Sequence, residues 1–475
     1  MGRKHKEQKI YNEVEVLDAG SEGKAICRID GQVVFVPFVV PGDVIDLQIR
    51  RKKKNFLEGK ALQVKHFSDK RTEAACSHFG LCGGCKWQNM QYRHQLHYKQ
   101  KQVEDNLERI GKLHLPEINP IIPSEEVFNY RNKLEFTFSN KKWLTDDAPP
   151  NDDVNRMNAL GFHLPGMFDR ILDIKKCYLQ SDPSNAIRMA ARQYAMDNRL
   201  SFYDVRKHEG FLRNLIIRTS TNGEVMVIVV FHHEDEAIKG MLDHLYEGPH
   251  RITSLFYVIN EKKNNDISDQ EVIHYKGKDH IIEEMPPDSE DENKLIFKIG
   301  PKSFYQTNSR QAYRLYKTAA DFADLKGDEI VYDLYTGTGT IANFVARDAK
   351  KVIGIEYVES AIEDARQNAE INRIGNTVFY AGDMSKRLDE ELTGRHGKPD
   401  VVITDPPRAG MHPKVIQKLL ELRADKIVYV SCNPATQARD LNMLAEKYNI
   451  IKIQPVDMFP HTAHVENVVL LHVRV

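Results

Sequence analysis

From Lys294 onward the chain alternates short apolar runs with helical periodicity, and this alternation limits the fold more than any other feature. Ile330–Tyr335, Lys351–Glu356, Thr377–Tyr380, Val401–Thr404 and Lys426–Ser431 read as buried strands, with Tyr357–Ile371 and Pro413–Arg423 as helices between them. Parallel strands need a crossover, and the crossover helix covers the sheet face, so this pattern predicts a doubly wound, Rossmann-like α/β sheet. Ligands of such sheets sit in the crevice at the carboxyl ends of the strands. Asp333 falls near the end of the first strand, Glu356 ends the second, and Asp383 and Asp405 follow the third and fourth. Carboxylates recurring along one edge of an apolar sheet are not packing residues; they belong to a site.

The turn after the first strand, Val331–Thr340, reads VYDLYTGTGT, and Gly337 and Gly339 permit close backbone approach to a ligand. The dinucleotide pattern G-x-G-x-x-G fails because position 342 is alanine. Glu356 lies 23 residues after Asp333, where an acid can accept both ribose hydroxyls. With acids at four strand ends, the spacing is that of enzymes using S-adenosylmethionine (SAM) rather than a nicotinamide. The fifth strand closes on Ser431-Cys432-Asn433-Pro434. A strand-end cysteine is ordinarily a small buried hydrophobe, but this one falls in the same crevice, close in the fold to Asp405. His461, His464 and Glu466 follow near the end of the chain without the i, i+4 helical spacing of a zinc motif, so they are not read as a metal site.

At 475 residues the chain predicts about three domains. Glu13–Leu17, Lys24–Ile29, Gln32–Pro37, Asp43–Arg51 and Gly59–Lys65 are strand-like runs separated by Gly and Pro-Gly turns. So many strands in so short a segment predict a small OB-like β-barrel. The basic run Arg50–Lys54 falls at a hairpin of that barrel and reads either as a phosphate contact or as a solvated charge cluster that protects a sheet edge. Gln91–Ile110 has helical periodicity. Beyond it Tyr130–Ser139 and Val225–Phe231 read as strands, Asn185–Asn198 as a helix, and Asp146–Asp153 as a solvated loop. Glu283–Glu292, acidic with two prolines, reads as a linker. The expected units are a barrel over 1–66, a central α+β unit over 67–290, and the doubly wound unit over 291–475. The helix over about 91–112 is a candidate to pack on the last.

Hydrophobic residues make up 41% of the chain and charged residues 28%, which excludes a disordered polymer. Net charge is -1, which excludes a globally basic nucleic-acid binder but not a local basic footprint. No apolar run approaches the roughly 20 residues of a membrane helix, and no apolar stretch follows the basic start as in a secretory signal. The expectation is a cytoplasmic protein with no membrane and no obligate protein partner. Of the six cysteines, Cys76, Cys82 and Cys85 fall within ten residues and Cys177 lies 92 further on. In a cytosolic chain such clustering reads as metal binding before disulfides. Four thiolates hold either zinc or a [4Fe–4S] cluster, and the residues leave both open. Cys27, in a strand-like run, reads as packing, and Cys432 belongs with the crevice.

Phe304-Tyr-Gln306-Thr-Asn308, Asp333–Gly339, Asp405-Pro-Pro-Arg408-Ala-Gly410, Ser431-Cys432-Asn433-Pro434 and His464-Val-Glu466, in that order, resemble the RNA (uracil-5-)-methyltransferase family. The barrel resembles the TRAM domain, and Tyr130–Phe136 resembles the family's substrate-side strand. Barrel and cysteine set together resemble the members acting on 23S rRNA. The resemblance implies methylation of C5 of a uridine in 23S rRNA through a covalent cysteine–C6 adduct. It makes Cys432 the nucleophile and Glu466 the base, and it makes Gln306, Tyr335, Glu356 and Asp405 residues of the SAM site. Asp333, Gly337, Gly339 and Asp383 are expected to complete that site. It implies contact of Phe304 with the target base and a [4Fe–4S] cluster on Cys76, Cys82, Cys85 and Cys177. The chemistry suits these types: C5 of uracil is a poor nucleophile until a thiolate adds at C6, and a carboxylate can then remove the C5 proton. Two other functions are weighed: the same reaction on tRNA, against which the barrel and cysteines are set, and a noncatalytic, metal-stabilised RNA-binding protein, which would need neither Cys432 nor Glu466.

Overall fold

The computed structural model describes residues 9–144, 157–286 and 294–474. The expected loop Asp146–Asp153 lies outside them. Among the described residues no helix is long and apolar enough to cross a membrane.

The N-terminal sheet has six strands, in the order Ile10–Glu15, Val44–Lys52, Leu57–His66, Gln32–Val36, Ala25–Ile29, Asp18–Ala19. Alternate residues point inward: Ala25 and Cys27, Val34 and Val36, Ile45 and Leu47 form its core. Cys27 is fully buried and its thiol is pushed up to about 12, first by burial and then by Asp43, so it is inert packing. Residues 50–55, at the tip of the hairpin between the two longest strands, are all exposed. The barrel is fastened to the segment after it by Asp43. Both its oxygens take bonds of 2.7 Å from Arg71, and it also accepts from the Val40 and Ser68 amides.

The central sheet has seven strands, with Val225–Phe231 and Lys133–Ser139 flanking Leu212–Thr219. Helix α1 (Tyr92–Arg109) precedes it; α2 (Ser184–Asp197) and α3 (Ala237–Glu247) belong to it. Ile187 and Ala191 of α2 and Met241 and Leu245 of α3 pack into one core with the sheet.

The C-terminal sheet contains β1 (Ile330–Leu334), β2 (Lys351–Glu356), β3 (Thr377–Ala381), β4 (Val401–Thr404), β5 (Lys426–Ser431), β6 (Tyr448–Val456) and β7 (Glu466–Val473). Their order is β3-β2-β1-β4-β5-β7-β6. The first five are parallel as expected, whereas β7 is antiparallel to both neighbours. The last two strands were not in the sequence reading. In the β5–β7 register Ser431 faces Asn467, which brings the next residue of one strand, Cys432, beside the first of the other, Glu466.

Of the expected linker Glu283–Glu292 only the first four residues are described, the rest lying outside the described residues, and three of those four belong to a strand. Ile281–Met285 pairs with Leu295–Ile299, and Glu283 between them is fully buried. Its carboxylate accepts from Ser309 Oγ at 2.6 Å, from the Thr221 amide at 3.1 Å and from the Thr221 hydroxyl. A run of acids is read as solvated because sequence does not display the donors that make burial tolerable.

Helix α1 does pack on the C-terminal sheet, where Val103 and Leu107 share a core with Tyr332, Ile427 and Leu441. Its Lys99 is wholly buried and donates to Asp457 at 2.5 Å and to the Phe459 carbonyl at 3.0 Å. Tyr92 and Gln311 also donate to Asp457, at its other carboxylate oxygen and its carbonyl. Removing one partner strands the other charge in the core. Lys99→Met should therefore lower unfolding stability by about 3–5 kcal/mol, and Lys99→Met/Asp457→Leu should recover part of that loss in denaturant titration.

Candidate active site

The β1 turn is built by positive backbone angles. Tyr335 (φ 62°), Gly337 (φ 56°) and Gly339 (φ 74°) bend the chain back onto the helix that follows. A Cβ at Gly339 would lie 2.9 Å from that of Ala365, so only glycine fits there. Glu356 faces this turn: one carboxylate oxygen accepts from the Gly337 amide at 3.2 Å, the other from the Tyr357 and Val358 amides. Asp333 is buried beneath the turn. Thr336 bonds one of its oxygens, and the other has no partner.

Phe304–Asn308 crosses in front of the turn. Thr338 Oγ1 donates to the Phe304 carbonyl at 3.2 Å, and the Phe304 ring is 64% exposed. Asn132, at the start of the expected substrate-side strand, donates to the Gln306 carbonyl at 2.8 Å. The Gln306 side chain is bonded to Tyr316, a buried phenol whose neighbours are Asp405, Glu466 and Asp333. Tyr316 stands on the helix Ser309–Ala323, and no motif in the sequence marks it.

Cys432, Glu466, Asp405 and Arg408 converge at the ends of β4, β5 and β7. Asn433 Nδ2 and Thr436 Oγ1 hold the Arg408 carbonyl at 3.0 and 3.2 Å, which fixes the loop after β4 against the turn after β5. The Cys432 thiol is pushed up to about 11 by burial, then by Glu466 and Asp405, while Arg408 pulls it down. Glu466 is pushed up to about 8 by burial and by Asp405, with Arg408 again opposing. Asp405 rises to about 7 through desolvation, and Asp333 to about 7 through burial, Asp405 and Glu356. Arg408 thus acts on both Cys432 and Glu466, and it stands in the Asp405–Gly410 motif, where nothing in the residue order marks it for that part. Asp383 does not join this group: it is exposed and caps the short helix Met384–Arg387 by accepting from Ser385 at 2.8 Å.

His461, three residues before His464, is structural. Its carbonyl accepts from the Lys86 and Trp87 amides at 2.8 and 3.0 Å, Gln95 bonds its ring and its amide, and Phe128 stacks on the ring at 4.4 Å. His464 is exposed. Its ring is pulled down to about 4 by desolvation, then by Arg408, Lys99 and Arg131, and so is neutral at ordinary pH.

A cavity of about 900 Å³ opens on Cys432 and extends between the three units to the barrel residues Gly20 and Phe35. Cys76, Cys82, Cys85 and Cys177 all line it. Cys82 is pushed up to about 11 and Cys85 to about 12 by burial, and the charge of other cysteines of the set pushes each further. Cys82 sulfur accepts from the Gly84 amide at 3.4 Å and Cys85 sulfur from Gln88 Nε2 at 3.2 Å. Among the described residues no three His, Cys, Asp or Glu side chains are close enough to hold one metal ion.

The strand order, the glycine turn and the acid at the end of β2 define a Rossmann-like SAM-methyltransferase fold. Residues 218–474 match the family model described as tRNA (Uracil-5-)-methyltransferase, and residues 11–62 match the TRAM domain. A Bacteroides thetaiotaomicron protein named as an uncharacterized RNA methyltransferase is 58% identical over 459 residues, spanning 96% of this chain and all of that one. A Porphyromonas gingivalis protein of the same name is 54% identical over 467 residues, spanning 96% and 99%. The crystal structure of Pyrococcus abyssi tRNA (uracil-54, C5)-methyltransferase in complex with S-adenosyl-L-homocysteine superposes with a TM-score of 0.72 at 29% identity, over 96% of this chain and 100% of that one. The chain belongs to the tRNA/RNA (uracil-5-)-methyltransferase family and carries its TRAM domain. The Pyrococcus match leaves fewer residues uncovered than the barrel contains, so a barrel does not by itself set rRNA-acting members apart from tRNA-acting ones.

Unfolded, Asp333 ionises near pH 4 (roughly,), whereas folded it keeps its proton to about 7. The folded state binds the extra proton between these values, so stability falls as pH rises through that window by about 1.4 kcal/mol per unit. Asp333→Asn removes this slope. Its stability advantage over the parent should grow from about pH 4 to about pH 7 and then level off, and a difference independent of pH in denaturant titrations would contradict the assigned protonation.

Proposed function

We propose that this protein methylates C5 of a uridine in 23S rRNA, with SAM as donor, Cys432 as nucleophile and Glu466 as base. The observation that carries the reading is the β5–β7 register, which sets a buried carboxyl, Glu466, across from a thiol, Cys432, that lines the cavity. SAM, when bound, supplies an electrophilic methyl group on a cationic sulfur. The crevice suits it. The contact of Glu356 with the glycine turn supports a ribose role for it, and Asp333, Asp405 and Glu466 make a crevice rich in carboxyls, which suits a cationic donor.

The reaction follows from the side chains. Cys432 gives its proton to solvent at the cavity mouth and regains one after release; its thiolate adds to C6, and the C5–C6 π pair moves into the ring as an enolate. C5 then takes the methyl group, leaving S-adenosylhomocysteine. Glu466 removes the C5 proton, the C5–C6 double bond reforms, and the thiolate departs. Burial keeps the Cys432 proton on at rest, and Arg408 lowers the cost of losing it. A base raised to about 8 is well matched to neutral operation. The uracil has to leave its stack to reach this mouth, and the exposure of Phe304, whose carbonyl is tied to the glycine turn by Thr338, supports its contact with the base.

Cys76, Cys82, Cys85 and Cys177 would hold a [4Fe–4S] cluster. Four sulfurs face one cavity, and two of them accept N–H bonds of the kind that steady thiolates on iron. The cluster's place in the reading is structural support of the cavity wall. The cysteine set favours 23S rRNA as substrate; the Pyrococcus likeness favours tRNA as the second reading.

Labelled SAM with 23S rRNA and tRNA transcripts decides between them: methyl transfer to C5 of uridine in the rRNA alone supports the first. Cys432→Ala should give neither product nor adduct. Glu466→Gln should methylate and then stall as an RNA–protein adduct that carries the label and survives denaturing electrophoresis. An adduct formed by Cys432→Ala would remove the nucleophile assignment. Replacing Lys52, Lys53 and Lys54 by Gln should flatten the salt dependence of RNA binding by up to about 0.7–0.9 log units per lost phosphate contact. An unchanged slope leaves the run as an edge-protecting charge cluster.

A further inference from the structure

Arg188 is an anomaly of the central unit. It lies on α2 with no exposed surface, and its guanidinium rests on the Phe136 ring at 5.5 Å. Nη2 donates to the Lys175 carbonyl at 2.8 Å, while Nε and Nη1 have no partner. An arginine does not discharge by giving up its proton at neutral pH, and burial lowers this one only to about 10. A buried cation without a counter-charge is strongly destabilising.

The nearest acid, Asp173, is already committed. Its two oxygens take bonds from Arg192 Nε and Nη2 at 2.9 and 2.8 Å, from Lys142 Nζ at 2.9 Å and from the Leu160 amide at 3.1 Å. Two cations and one carboxylate leave that cluster positive before Arg188 is counted. The other negative group that Arg188 feels is the thiolate of Cys177. The two are held together by one helix. Asn185, one turn before Arg188 on α2, accepts from the Cys177 amide at 2.8 Å and donates to its carbonyl at 3.0 Å. The same helix therefore fixes the cysteine backbone through Asn185 and anchors a buried charge, through Arg188, to the Lys175 carbonyl two residues before that cysteine. Arg131, whose charge also acts on Cys177, lines the cavity and is only half-buried.

We propose that Arg188 is the built-in counter-charge of the four-cysteine site, a positioning residue that stabilises the anionic cluster from beneath Cys177. The inference rests on the [4Fe–4S] reading above and extends it to a residue that ligates nothing. Four thiolates on a [4Fe–4S] core give a net negative group, and one-electron reduction adds another negative charge. A fixed cation nearby stabilises both states, the reduced one more, and so raises the reduction potential.

The test uses the full chain purified without oxygen, as parent, Arg188→Lys and Arg188→Met. Iron is counted, and the midpoint potential is followed by the spectral change on titration with dithionite as the electron donor. The inference expects about four irons in the parent, by analogy with clusters held by four cysteines. Arg188→Lys should stay near the parent potential. Arg188→Met should shift negative by at least the ~59 mV that marks a tenfold change for one electron. An iron-loaded Arg188→Met at the parent potential overturns it. If Arg188→Met loads no iron, circular dichroism and melting decide. Iron held by Arg188→Lys but not by an equally folded Arg188→Met supports the counter-charge, whereas equal loss in both makes the residue packing alone and overturns it. A parent chain with zinc or no metal overturns the cluster reading itself and takes this inference with it, a result distinct from an iron-loaded parent whose potential ignores the substitution.

Discussion

The antiparallel pairing of β7 with β5 is the contact on which the site depends. In a parallel sheet every strand ends at the same edge, so two strand-end side chains are neighbours but both are the last residues of their strands. Reversing one strand puts its first residue at that edge instead. Cys432 follows β5 and Glu466 opens β7, and the register that pairs Ser431 with Asn467 fixes their separation through backbone bonds rather than side-chain packing. A slip of one residue would turn Glu466 to the other face. Gln437 guards against this by donating to the Tyr429 and Asn467 carbonyls and accepting from Asn467, all within the buried layer.

Glu466 is preceded by irregular chain, and that chain is held by the other two units. Lys99 and Tyr92 of α1 grip Asp457, Tyr130 donates to the Pro460 carbonyl at 3.0 Å, and Gln95 with the Lys86 and Trp87 amides binds His461. Trp87 also donates to the Gly23 carbonyl of the barrel at 3.2 Å. A Cβ at Gly23 would strike Lys86 at 2.7 Å, so glycine lets the barrel come this close. The barrel and the central unit thus also shape the approach to Glu466, which explains why the cavity is lined by all three units.

What sequence displayed was whatever repeats or spaces regularly. The five parallel strands, the glycine turn and the acids at their ends follow local rules, and α1 showed its apolar stripe. Three things were hidden. β7 carries no signal of direction, because pairing sense is settled by the chain that returns it. Glu283 looked solvated because its donors, Ser309 and Thr221, are distant in sequence. Asp383 was legible as an acid after β3, but its helix cap, set by the amide of Ser385 two residues on, was not. Cys432 and Glu466 were legible as residue types in a known order, but nothing in that order gave their proximity.

The site's electrostatics run against folding and toward chemistry. Asp333, Asp405 and Glu466 are all raised, so each favours the folded chain only below the pH at which it would ionise when unfolded and gives that up as pH rises through its folded value. At neutral pH the crevice therefore favours protonated carboxyls, and ionising them costs stability. A ligand that brings positive charge relieves that cost, and the gain scales with the charge it delivers to the carboxyls. The same burial acts on Cys432: loss of water around the thiol is the first cause that holds its proton on, Glu466 and Asp405 add to it wherever they ionise, and Arg408 pulls the other way.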